Sequence, residues 1–487
     1  MKEKNIGINA ILNVIKSCLS VVFPLITYPY ALRVLGAEGI GKVTYGESIV
    51  SYFSLIAMLG ITTYAVREGA KRKKNKEEFN KFANEIFTIN VVSMIVAYFL
   101  LAITLIFTEK LHAYTKLIMI QSLVIAFSTF GLDWINTVYE DFLFITIRSI
   151  IAHIITLVML FVLVKKSSDY YMYALLAITT NGITCISNWF YCRKYAKVRV
   201  TLKPNFSKHA KPILILFANA VAVSIYVNFD TTMLGWMQGD YYVGLYAVAV
   251  RVYTIVKNIL VAIYAVTIPR LAYLVGKGDM QEYRKLYSKL WEGLALLLIP
   301  AVIGLIGIAR EVMLYMGGEE YLPAVLTLQI LSVALLFAVF GGLVTSCLNV
   351  TLGREKNNLT VTICSAVLNC TLNFIFIPLW KHNGAAVTTL LAEMFVVVVC
   401  VVHVPNKEKY FDFARIKSSI RNAVLASIVM AGYIVGIKLL ILNSILRFIV
   451  IVPGSILLYA LMLLILKEPF ALEFKDKFKD KMKKVRN

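Results

Sequence analysis

The chain has 487 residues, of which 59% are apolar and only 16% charged, and its formal net charge is +22. A soluble chain of this length carries about 25% charged residues, so this one must bury its apolar surface in lipid. Its basic residues lie between apolar stretches rather than in a separate domain, which excludes nucleic acid as a partner and leaves the positive-inside rule as their explanation.

Fourteen apolar stretches are each long enough to span a bilayer. They run over residues 8–28, 44–65, 84–107, 115–137, 142–164, 170–191, 212–234, 243–267, 289–309, 322–350, 359–379, 384–404, 421–441 and 446–466. They are continuously apolar rather than alternating, so the expected fold is an all-α integral membrane bundle and not a barrel. The basic start of the chain leads into a full-length span, which predicts a retained segment rather than a cleaved leader. The seven cysteines (Cys18, Cys185, Cys192, Cys347, Cys364, Cys370, Cys400) lie in or at the ends of apolar stretches and have no metal-ligand spacing.

With the N-terminus inside, the inner loops and termini hold about 36 Lys and Arg and the outer loops about 8. Both termini are therefore expected inside. The tail carries Lys475, Lys477, Lys479, Lys481, Lys483 and Lys484 and is expected to rest on anionic headgroups.

The pattern contains a repeat. Gly36 and Gly41 flank the loop into the second span, and Gly239 and Gly244 keep the same spacing before the eighth. Glu38 and Asp240 lie near the first glycine of each pair, and basic inner loops follow spans 2 and 8. The expected organisation is an N-terminal lobe over 1–200, a parallel C-terminal lobe over 201–410, and two added helices with a basic tail over 411–487.

Span 1 places Asn9, Asn13, Lys16, Ser17 and Ser20 on one helical face. A charge at the bilayer centre costs about 2.5–3.5 kcal/mol on insertion scales and marks a polar cavity or ion path. Span 2 carries Thr44, Glu47, Ser51 and Ser54 on one face, and Glu47 can pair with Lys16 or take up protons. Span 8 carries Arg251, Thr254 and Asn258 on one face, with Lys257 rotated away by about a third of a turn. Asp230 on span 7 is a partner for these cations and a second candidate proton carrier. Arg148 and Lys438, near span ends, are expected to snorkel. Asp133 and Glu393 stay open between structural pairing and ion coupling. The interior cations match or outnumber the acids. A basic cavity between the two halves suits an anionic ligand, with Lys16 facing Arg251 and Lys257 across it. A drug or metal-cation exporter would need an acidic one. No Walker A sequence, Ser–His–Asp arrangement or metal-ligand cluster is seen, so the chain is read as neither an enzyme nor a cofactor protein.

Residues 24–41 read PLITYPYALRVLGAEGIG, and 45–68 continue YGESIVSYFSLIAMLGITTYAVRE. With GLDWINTVYEDFLFITIRSI at 131–150, this resembles the bacterial polysaccharide repeat-unit flippases, the Wzx-like branch of the MATE-like multidrug, oligosaccharidyl-lipid and polysaccharide exporter superfamily. The resemblance implies two six-helix lobes plus two helices in the cytoplasmic membrane. It implies flipping of undecaprenyl-pyrophosphate-linked O-antigen or capsule repeat units by alternating access, coupled to an H+ or Na+ gradient. It implies a basic cavity, which maps here onto Lys16, Arg33, Arg251 and Lys257. A polysaccharide polymerase and glycosyltransferases are the protein partners it implies, beside membrane lipids. Many relatives carry a glycine and a glutamate near the fourth-to-fifth loop, where this chain has Tyr139, Glu140 and Asp141. The rival readings are a lipid II flippase, a cation-coupled multidrug exporter of the same fold, and a membrane-embedded glycosyltransferase or polymerase.

Overall fold

The computed structural model describes residues 6–201 and 204–473, without the side chains of 6–22, 219, 222, 223, 225, 226, 444 and 445. In chain order the helices are α1 (Ile6–Met58), α2 (Ile61–Arg72), α3 (Lys76–Phe107), α4 (Glu109–His112), α5 (Thr115–Phe130) and α6 (Asp133–Val138). They continue as α7 (Phe142–Leu163), α8 (Tyr170–Tyr191), α9 (Phe206–Gln238), α10 (Asp240–Ala265), α11 (Ile268–Lys277) and α12 (Met280–Gly307). The last are α13 (Ala309–Gly317), α14 (Val325–Gly342), α15 (Glu355–Val402), α16 (Phe413–Leu440) and α17 (Ser444–Ile465). α1 is broken at Gly36 and α15 at Lys381, where the backbone leaves helical geometry.

Cut at those two breaks, the described backbone contains the fourteen expected spans. Six precede residue 192 (α1 twice, α3, α5, α7, α8), six follow to 402 (α9, α10, α12, α14, α15 twice), and α16 and α17 complete the set. Ten described helical stretches are long and apolar enough to cross a membrane. The chain is an all-α, multi-pass membrane protein.

Several helices begin earlier than their apolar stretches, four of them behind a side-chain cap. The sequence places spans from 84, 212, 289 and 421, but α3, α9, α12 and α16 start at Lys76, Phe206, Met280 and Phe413. The reason is capping. Asn75 accepts from the Glu77 and Glu78 N–H groups, Asn205 from Lys208, Asp279 from Glu282 and Asp412 from Arg415. Each cap satisfies amides that have no partner within the helix and starts it in polar sequence. Short helices α2 and α11 follow spans 2 and 8, a further likeness between the halves.

Contacts divide the chain into residues 1–247 and 248–487, a cut that falls inside α10. Within the first unit the two repeated turns touch. Gly36 (φ 69°) and Gly239 (φ 87°) take the left-handed φ that glycine tolerates. A Cβ on Gly41 would run into the backbone carbonyl of Asp240, and one on Gly244 into that of Ala37. The contact is reciprocal, because Ala37 follows Gly36 as Asp240 follows Gly239. In the second unit α16 packs on α12 and α17 through Ala295, Ala423, Ala426, Met430 and Tyr459. Small residues bring the helices together, and the Tyr459 hydroxyl donates to the Leu296 carbonyl at 2.7 Å.

Candidate functional site

The polar face read on span 2 lines a cavity in the first unit. Glu47, Ser51 and Ser54 from α1 share a space of ≈ 310 Å³ with Gln121 from α5 and Asn181 from α8. α5 approaches closely because residue 46 is glycine: a Cβ there would strike the Gln121 side chain. Gln121 donates to the Val43 carbonyl at 2.8 Å. Its Oε1 and the Ser54 hydroxyl are buried without a protein partner, which is the pattern expected where water or ligand completes the bonding. A chain of hydroxyls runs beside it: Thr232 donates to Ser48 at 3.0 Å and meets Tyr52 at 2.9 Å.

The other expected site residues separate into three groups. Asn13, Lys16, Ser17 and Ser20 lie outside the described side chains. Arg33 and Arg251 are exposed on α1 and α10, Asn258 is exposed, and Thr254 is half-buried. Asp230 and Lys257 have specific partners. Asp230 is buried and accepts from the Tyr246 hydroxyl at 3.0 Å. Lys257 sits 3.1 Å from Glu393 of α15, and the Tyr253 hydroxyl donates to the same carboxylate oxygen at 3.3 Å. Glu393 is buried, so this ion pair holds α10 to α15, and the acid named from sequence as a partner for Lys257 is replaced by one 136 residues away.

Two expectations of snorkelling are corrected. Arg148 is buried and pairs with Asp133 at 2.8 Å, the break at Leu132 (φ 50°) placing the acid within its reach. Lys438 pairs at 2.9 Å with Glu311, and Arg447 lies 3.7 Å from the same carboxylate. Lys438 thus reaches inward to a buried acid, while Arg148 is itself buried and reaches a half-exposed one. The loop at 139–141 is structural: Glu140 pairs with Lys73 at 2.9 Å, and buried Asp141 accepts from Tyr191 at 2.7 Å and from Tyr195. Burial, then the Asp141 carboxylate, push the Tyr195 phenol up.

One buried polar cluster escaped the sequence reading. His209 of α9, fully buried, lies 2.9 Å from Glu85 of α3 and 2.8 Å from the Tyr64 hydroxyl of α2. All three are satisfied when Tyr64 donates to Nδ1 and Nε2–H donates to the carboxylate. Glu85 lay inside an apolar stretch and His209 just ahead of one, so the signal was present. Among the described residues no group of His, Cys, Asp and Glu could hold a metal ion.

A family model described as "Polysaccharide biosynthesis protein" matches residues 4–275, more than half of the chain. The chain belongs to that polysaccharide biosynthesis protein family. Within reach of this family it is 23% identical over 403 residues to the "Putative O-antigen transporter" of Escherichia coli (strain K12), covering 80% of this chain and 94% of that one. It is 26% identical over 276 residues to the "Probable low-salt glycan biosynthesis flippase Agl15" of Haloferax volcanii, covering 54% and 56%. In fold, this member of the polysaccharide biosynthesis protein family is similar to the lipid II flippase MurJ in an inward closed conformation. The TM-score is 0.75 at 16% identity, over 95% of this chain and 99% of that one. An inward-facing MATE family multidrug transporter matches at TM-score 0.59 and 15% identity, over 82% and 99%. These two likenesses show the fold alone and carry nothing about ligand.

Proposed function

We propose that this protein flips undecaprenyl-pyrophosphate-linked oligosaccharide repeat units from the inner to the outer leaflet of the cytoplasmic membrane, by alternating access, for surface polysaccharide assembly. The observation that carries this reading is membership of the polysaccharide biosynthesis family, joined to similarity along most of the chain to a relative named for O-antigen transport. Both termini face the cytosol in this reading, and glycosyltransferases and a polymerase act before and after the flip.

Cations meet the pyrophosphate charge: Lys16 and Arg33 on α1, and Arg251 and Lys257 on α10. The polar side chains Asn13, Ser17, Ser20, Thr254 and Asn258 on the same two helices meet neutral groups. For Lys257 to contribute, its ammonium must exchange the Glu393 carboxylate for phosphate. Glu47 and Asp230 are the candidates for carrying a coupling H+ or Na+, Glu47 because it lines a cavity with unpartnered polar atoms. No resident cofactor is part of the reading.

The test is deletion in the native host. Surface polysaccharide should be lost while lipid-linked repeat units accumulate facing the cytosol, and the wild-type chain should restore both. Lys16→Ala and Arg251→Ala should fail to restore while remaining in the membrane at normal levels. Unchanged surface polysaccharide in the deletion would overturn the function. Full restoration by both variants would overturn the site and leave the function standing.

A further inference from the structure

The segment after α8 is clamped to α3 by a matched set of bonds. The backbone N–H groups of Lys197, Arg199 and Thr201 donate to Asn80, Asn84 and Thr88 at 3.0, 2.8 and 2.9 Å. The acceptors are four apart on a helix and the donors two apart on an extended strand. Four helical residues rise about 6 Å and two extended ones about 6.6 Å, so the two repeats stay in step. This extended strand, which belongs to no sheet among the described residues, is thereby fixed along α3.

Beside the strand lies a cavity of ≈ 400 Å³, lined by Leu132, Trp189, Cys192, Arg193, Ala196, Lys197, Val198 and Arg199. Its lining holds three exposed cations (Arg193, Lys197, Arg199), no acid, and an apolar remainder that includes fully buried Ala196. None of the three has an acidic partner among the described residues. Their neighbours on the same inner side do: Lys71 and Arg72 pair with Glu68, and Lys73 with Glu140. A volume of this order suits a small polar group. Unpaired cations over an apolar floor at the inner end of a span fit a lipid phosphate, with the guanidinium groups on the oxygens and the chain against the floor.

We propose that the groove between the end of α8 and the strand clamped to α3 is a binding site for the phosphate group of an anionic lipid, held by Arg193, Lys197 and Arg199. The site stands apart from the residues assigned to translocation. The phosphate can come from the bulk phospholipid or from a polyprenyl phosphate, and the experiment separates the two.

Purified full-length protein in neutral detergent is titrated with phosphatidylglycerol in one arm and undecaprenyl phosphate in the other, with retained lipid counted by native mass spectrometry. The wild type should hold one lipid, and R193Q/K197Q/R199Q should weaken it at least tenfold. The control K74Q/K76Q/K81Q removes the same charge from exposed lysines of the neighbouring inner segment and should bind as wild type. If the triple variant is not monodisperse, K197E alone, at an exposed position, should shift binding in the same direction. The arm that shows this dependence names the source. Equal retention in wild type and the groove variants, or equal loss in the control, overturns the site. Because transport is not read, failure here leaves the flippase reading untouched.

Discussion

Buried acids are treated differently in the two units. In residues 1–247, Asp230 and Asp141 accept from tyrosine hydroxyls and Glu85 faces the His209 imidazole. In residues 248–487, Glu393, Glu311 and Glu292 face Lys257, Lys438 and Arg415 at 3.1, 2.9 and 3.1 Å. Asp133 with Arg148 is the exception in the first unit, and there the acid side chain is 52% exposed. Glu468, bonded to Ser419, is the exception in the second. The difference sets what each unit tolerates. An acid on a hydroxyl can gain or lose charge while keeping a bond. A buried acid paired with a cation cannot lose that cation without standing uncompensated, which costs about 3–5 kcal/mol. The first unit therefore holds buried acids that can change charge in place, and the second holds buried acids tied to cations.

The hardest blow to this comparison would come at Glu311. K438M/R447M leaves buried Glu311 without either cation, and should destabilise by about 3–5 kcal/mol, seen as the largest fall in detergent melting temperature among these variants. Lys257→Met should cost somewhat less, about 3 kcal/mol, because the Tyr253 hydroxyl still reaches Glu393. The pair K257M/E393Q should recover most of that loss, and transport regained by it would remove Lys257 from the ligand site. In the first unit, Tyr246→Phe takes one donor from Asp230 and should cost about 1 kcal/mol. The smallest change expected is Glu85→Gln, under about 1 kcal/mol, because an amide still bonds His209. If Glu85→Gln melts as low as K438M/R447M, the contrast between the units is wrong.

The spans were legible because a bilayer demands a length of apolar sequence that little else imitates. Helix starts were not, because Asn75, Asn205, Asp279 and Asp412 extend helices into polar sequence by local hydrogen bonds. Partners were read worst. Arg148 and Asp133 lie 15 residues apart across a turn, and that pairing was within reach of the sequence. Lys257 and Glu393 meet across 136 residues of sequence, which no local pattern reveals. On span 2, three of the four residues read as one face, Glu47, Ser51 and Ser54 but not Thr44, line one cavity.

The crossing of the two glycine turns has a consequence for substitution. Each turn offers its second glycine to the residue that follows the first glycine of the other, Gly41 to Asp240 and Gly244 to Ala37. Self-complementary contact of this kind is what a two-fold dimer interface makes. The facing residues differ: Ala37 is a plain methyl, while Asp240 accepts from the Tyr114 hydroxyl at 2.8 Å. A side chain at either second glycine would pry the same crossing apart, so Gly41 and Gly244 form one requirement written at two places in the chain.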